Sequence, residues 1–248
     1  MPAKFSGFPR DAFEFFRELA RNNSKEWFDR NRERYEQNIV GTFRGLLEAL
    51  TPFVLELNPD FEVGGKTNRN FSRINRDIRF RKDRSPYHTN FYLYFFDRRR
   101  YRMDAGRLYI GLSADGVSVG FSIYGDRDTL LERLTKDRAR RDGQRLQDSL
   151  NRLGRSYERY WYRMEKGDWK KVDGHPKSVE EWERVKGWVV RKMFTGSNVS
   201  SARFLKQIKQ TFSVLYPLYV FTSMEGRGWK QAFRRAIPSG ATMRAMRL

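Results

Sequence analysis

The chain has no cysteine and only two histidines among 248 residues. That excludes disulfides, thiolate nucleophiles and cysteine-ligated zinc, and it leaves too few imidazoles for a histidine-rich metal site. No metal or cofactor is therefore expected, and the redox compartment stays open. No run of 18 apolar residues occurs, so no membrane span is expected. The opening Met-Pro-Ala-Lys-Phe-Ser-Gly-Phe-Pro lacks an apolar signal core, which makes a cytoplasmic protein the expectation. Acidic charge is also short: 30 carboxylates face 50 lysines and arginines, for a net charge of +20. The excess is concentrated, with +9 over residues 66–107, +6 over 127–171 and +8 over 203–248. Such asymmetry suggests an anionic partner, either nucleic acid or an acidic membrane surface, or else a surface charged for solubility. Hydrophobic residues make up 39% and aromatics 15%, enough for a core.

The stretch Phe71-Ser-Arg-Ile-Asn-Arg-Asp-Ile-Arg-Phe80 has the branched and aromatic content of a strand. From Arg73 to Arg84 six cations (Arg73, Arg76, Arg79, Arg81, Lys82, Arg84) meet two carboxylates, Asp77 and Asp83. On a strand Arg76 shares a face with Ile74 and Ile78 and needs a partner, either a protein carboxylate or a bound anion. On the other face Arg73 and Arg79 flank Asp77, one carboxylate for two guanidinium groups. Guanidinium forks hold phosphate or carboxylate by two points. Asp77 and Asp83 are candidates for a general base or metal ligand, unless their arginine neighbours depress their pKa. His88 is a weaker proton-shuttle candidate.

The pattern Arg73-Ile74-x-Arg76-Asp77-x-Arg79-Phe80-x-Lys82-Asp83-x-Ser85-Pro86-Tyr87 resembles the signature of the family known as domain of unknown function 2461. Phe8-Pro9, Asn23-x-x-x-Trp27-Phe28-x-x-Asn31-x-x-x-Tyr35, Lys186-Gly187-Trp188-Val189-Val190 and the segments Phe204-Leu205 and Tyr216-Pro217-Leu218 are similar to its other segments. The resemblance spans most of residues 7–222. Met164–Trp182 is poorer in proline and glycine than is usual there, and the tail after Gly226 is an addition. The resemblance implies a fold, and it marks Arg73, Arg76, Asp77, Arg79, Lys82, Asp83 and Tyr87, with Lys186 as a looser match.

Around this motif the pattern reads as α+β. A mainly antiparallel sheet is expected, with strands near 71–80, 90–96, 107–113, 117–124 and 185–193, packed against N-terminal, middle and C-terminal helices. Residues 1–222 are expected to form one domain and 223–248 a basic flexible tail, with an amphipathic piece around Trp229–Ile237. Ser24 caps a helix whose apolar spacing runs to Leu50, with a kink or break at Pro52, and Pro217 ends a last helix. Asn90–Phe96, apolar on both faces, suits a central strand. The stripe Ser118-Gly120-Ser122 suits close packing of a helix or the floor of a pocket. Gly64-Gly65-Lys66-Thr67 is no Walker loop, since Asp60 stands where a glycine is needed and no helix follows. Tyr157, Tyr160, Trp161, Tyr162 and Trp169 alternate with arginine and lysine, as in RNA-binding surfaces or in an aromatic cluster closing a core.

Three functions fit. The first is a module binding a polyanion or phosphorylated ligand through Arg73, Arg76, Arg79, Lys82, Tyr87 and Lys186. The second is an enzyme acting on a small phosphorylated or carboxylated compound, and the third a purely structural ion-pair network. Oligomeric state is left open.

Overall fold

Asp11 in the first turn and Arg21 in the last complement the two ends of helix α1 (Arg10–Arg21). The computed structural model describes residues 5–237 except 80–82, 126–128 and 152, and leaves aside the side chain of Ser149. Helix α1 buries Ala12, Phe15, Phe16 and Leu19, spaced to share one face. Phe13, one step round the helix, is only half-buried. Ser24 caps helix α2 (Lys25–Arg30), its Oγ accepting from the Trp27 amide at 3.2 Å.

The long helix expected from Ser24 is interrupted. Asn31 leaves helical geometry (φ −109°, ψ 12°), and the chain continues as α3 (Arg32–Tyr35), a π-helical turn Glu36–Gly41 and α4 (Thr42–Leu57). Pro52 does not stop α4. It lies at an exposed position, where solvent can satisfy the carbonyl it leaves without a partner. Helices α5 (Lys136–Asn151), α6 (Val179–Arg184), α7 (Phe204–Ser223) and α8 (Trp229–Ala236) follow. Asp142 breaks helical geometry within α5, as the Asp142-Gly143 pair predicts, whereas α7 runs on through Pro217.

The strands are β1 (Asn90–Phe95), β2 (Arg107–Ser113), β3 (Gly116–Tyr124), β4 (Tyr157–Glu165), β5 (Asp168–Asp173) and β6 (Gly187–Phe194). They form an antiparallel sheet in the order β1-β2-β3-β6-β4-β5, which bears out the α+β reading. Three sequence expectations change. Of the segment expected at 71–80, the described residues 71–79 form no regular strand; Phe71 bridges Leu93 and Asn75 bridges Tyr87 singly. Asn90–Phe95 is an edge strand buried on one face, not a central one. The segment 157–173 supplies a β-hairpin that no strand expectation covered. The small-residue stripe accommodates neither helix nor pocket at Gly120, where a Cβ would stand 2.7 Å from the Tyr109 ring of the neighbouring strand.

Two compact units are distinguished: Met1–Phe95 with Ile110–Ser118 and Phe194–Ile208, and Phe96–Tyr109 with Val119–Met193 and Lys209–Leu248. In the first, aromatic rings form the core, with Phe43 against Phe8 and Phe91, and Phe28 and Tyr35 against Phe15. In the second, Phe121, Trp182 and Trp188 pack edge to face. Residues Trp229–Ala236 are no loose tail: α8 buries Trp229 and Phe233 against Phe221. Residues 238–248 lie outside the described chain.

One ion-pair node fastens α1 to α3. The Arg34 guanidinium donates to Asp11 at 2.6 Å and 3.1 Å and to Glu18 at 2.9 Å, and the Asn38 amide also donates to Asp11. The hydrogen bond from Arg34 is the main cause holding the Asp11 carboxyl below its ordinary value of 3.8. A depressed carboxylate stabilises the fold above its unfolded pKa, and that contribution is lost as pH falls through the lower folded value. Because the pair is partly exposed, Asp11→Asn is expected to cost about 1 kcal/mol at pH 7. Urea unfolding of both proteins checks this: the gap should shrink as the pH falls below about 4. An equal gap at pH 7 and pH 3 would show the pair to be unimportant.

Candidate anion-binding cleft

The motif folds through its own side chains. The Asp77 carboxylate accepts from the Arg79 amide at 3.2 Å and from its guanidinium at 3.0 Å and 2.7 Å. Asp83 accepts from the Ser85 amide at 2.9 Å and hydroxyl at 2.6 Å. Such local bonds offer the backbone an alternative to a ladder. Arg76, expected to need a partner, finds Asp83 at 2.6 Å, and its side chain is only 16% exposed. The bonds from Ser85, ahead of that from Arg76, hold the Asp83 carboxyl well below the usual carboxylate range. Both motif aspartates are thus engaged by protein donors, and Asp83 is a poor base.

That pairing leaves Arg73. With Asp77 turned to Arg79, Arg73 is exposed and has no hydrogen bond or ion pair among the described residues. It lines a cleft of about 300 Å³ in the first unit, together with Thr67, Ser72, Asn75 and Tyr87. Arg32 and Arg44 line the same cleft. Arg32 bonds Asp29 at 2.6 Å, whereas Arg44, like Arg73, has no partner among the described residues. The cleft's one carboxylate is Glu36. Three guanidinium groups and one acid leave local positive charge in a partly enclosed space, where it is worth more than on an open surface.

The wall is rigid for reasons in the sequence. The Asn23 side chain clamps the Tyr87 backbone, donating to its carbonyl at 2.9 Å and accepting from its amide at 3.0 Å. Phe28 stacks on the Tyr87 ring at 4.1 Å. Burial, the largest cause, raises the pKa of the Tyr87 phenol, so it stays protonated and can donate. Behind the cleft, Asn70 is fully buried; it accepts from the Gly65 amide and donates to the Glu62 and Tyr94 carbonyls. The Gly64 amide is held by Glu62. The amides of the Gly64-Gly65 loop are therefore committed to protein acceptors, in keeping with the rejection of a phosphate loop.

Of the residues singled out in the sequence, Arg73 and Tyr87 come together at the cleft, while Arg76 and Arg79 are paired with Asp83 and Asp77. Lys82 lies outside the described residues. His88 is half-buried, its amide bonded to the Ile74 carbonyl at 2.7 Å. Lys186 belongs to the second unit, where its Nζ is 3.7 Å from Glu132. Arg44 and Arg32 were not foreseen. Arg44 had a signal: it is the one cation in the apolar run Ile39–Leu50. No group of three or more histidine, cysteine or acidic side chains suited to a metal occurs among the described residues. No described helix is long and apolar enough to cross a membrane.

Two comparisons bear on identity. The profile of a family described as "Conserved hypothetical protein (DUF2461)" matches residues 11–221. No curated protein matches the chain.

Proposed function

The chain belongs to the DUF2461 family, a membership that names no reaction, and on the geometry of the cleft we propose that it is a binding protein for a phosphorylated ligand. The observation that carries this reading is the pair Arg44 and Arg73, two guanidinium groups on the walls of one cleft that bond no acid among the described residues. Each can present two donors to a phosphate, and Ser72, Thr67 and the Tyr87 phenol add neutral polar groups around it. The catalytic alternative draws little support from Asp83, whose carboxylate is held by Ser85 and Arg76. The structural alternative accounts for Arg76 and Arg79 but not for Arg73.

Calorimetric titration with inorganic pyrophosphate tests the proposal. Arg73→Met and Arg44→Met each alter an exposed side chain, so the fold should survive, and each should weaken binding roughly tenfold. Repeating the titration in rising salt with a single-stranded 20-mer separates ligand sizes. A polymer that neutralises several groups gives a log–log slope of about −0.7 per phosphate, and one held phosphate a slope no steeper than about −1. Absence of binding to both probes, or undiminished affinity in Arg73→Met, would sink the proposal.

A further inference from the structure

A second cleft adjoins the basic one within the first unit. It measures about 620 Å³ and shares Arg44, Gly65 and Phe71 with its neighbour, so those residues form a common wall. Its character differs. Its charged residues are Arg44 and Glu48, one of each sign. The rest of the lining combines apolar surface from Phe5, Leu47, Val63 and Phe71 with polar groups such as Gln37 and Thr51. A second phosphate would meet Glu48 and no further cation. An uncharged body would meet ring and aliphatic surface together with a free acceptor, since Glu48 has no hydrogen bond or ion pair among the described residues. A carboxylate so placed suits the hydroxyls of a sugar.

Resting on the anion reading above, we propose that the ligand is a phosphate monoester. Its phosphate sits between Arg44 and Arg73, and its neutral, hydroxyl-bearing body, of sugar or nucleoside size, fills the larger cleft. The volume is within the range of small-molecule sites. The Phe71 ring on the common wall is held by its stacking on Phe91 at 6.0 Å. Arg44, belonging to both clefts, is the residue through which the two halves of such a ligand are joined. A nucleic-acid strand fits less well, because the space beside the basic cleft offers no site for its next phosphate.

The test compares inorganic phosphate with ribose 5-phosphate and adenosine 5′-monophosphate by calorimetric titration. At least one monoester should bind tenfold or more tightly than phosphate. Thr51→Phe, which fills the larger cleft, should abolish that gain and leave phosphate binding unchanged. Should Thr51→Phe fail to fold, Glu48→Gln at an exposed helical position should reduce the gain threefold or more. Monoesters that bind no tighter than phosphate while phosphate binding still needs Arg73 would overturn this inference alone. A monoester gain that survives Thr51→Phe, or Glu48→Gln in its place, would do the same. Failure of all three probes to bind would overturn the anion reading with it.

Discussion

Arg138→Met is expected to lower the unfolding free energy by about 4 kcal/mol, the sum of several charge-assisted hydrogen bonds and the cost of stranding their acceptors. Arg138 is only 4% exposed, and no acid pairs with it among the described residues. Its guanidinium instead donates to the carbonyls of Val220 (3.0 Å), Phe221 (2.7 Å) and Met224 (2.5 Å) at the C-terminal end of α7. Those carbonyls carry the negative end of the helix dipole, and the cation answers it. The Trp229 ring of α8 lies 4.2 Å from the guanidinium carbon. One side chain therefore caps one helix and seats the next. Methionine matches the length and restores the apolar contact with Trp229, but it takes the guanidinium donor from the Phe221 and Met224 carbonyls and leaves Val220 only the Met224 amide at 3.3 Å. In a chain of this size, thermal unfolding should move down by roughly 10 °C. Arg138→Lys should recover about half, because an ammonium cannot reach three carbonyls in a fork. A loss under about 1 kcal/mol in urea unfolding would mean that the carbonyls find other partners.

The second large effect is expected at Asn70. It is fully buried, and its amide satisfies three backbone groups at once: the Gly65 N–H at 2.9 Å, the Glu62 carbonyl at 2.7 Å and the Tyr94 carbonyl at 2.9 Å. Asn70→Ala removes all three partners and opens a small cavity, a loss of about 3–4 kcal/mol. Asn70→Asp keeps the shape but turns a donor into an acceptor facing two carbonyls, and should be no better. Since Gly65, Thr67, Phe71 and Ser72 line the basic cleft, pyrophosphate affinity should fall in the same variants even under conditions where they remain folded. Stability reduced by less than 1 kcal/mol in Asn70→Ala, or cleft affinity untouched, would show that the loop is held by something else.

Much of the architecture was legible in the residues. Phe16 and Leu19 on the buried stripe of α1, the Ser24 cap, the turn at Ala114-Asp115-Gly116 and the break at Asp142 follow from period, capping and turn chemistry, although the same spacing also suggests Phe13, where the stripe uses Ala12 and Phe15. The failures have physical reasons. Residues 71–80 have strand composition, but Asp77 and Asp83 bond amides two residues ahead, and β1 takes the segment only at Phe71. The β4–β5 hairpin turns at Lys166-Gly167, with φ of 51° and 88°, where no Asn-Gly or Asp-Gly signal announces it. For the candidate site, charge counting pointed to the motif but could not apportion partners. Asp83 comes back to Arg76 from seven residues away, and Arg44 reaches the cleft from another element altogether. Spacing in sequence cannot show which of several arginines stays unanswered.

Strand β5 closes one end of the sheet with a backbone edge that no further strand covers among the described residues. An uncovered edge is a template on which other chains can add, yet this one is short and carries charge of both signs: Asp168, Lys170, Lys171 and Asp173 in six residues. Any incoming strand must bury or match those ions before it can register. The hairpin edge is thereby a poor template for fibrous self-association, a consequence of lysines that the sequence pattern alone presents as surplus charge or as part of an RNA-binding surface.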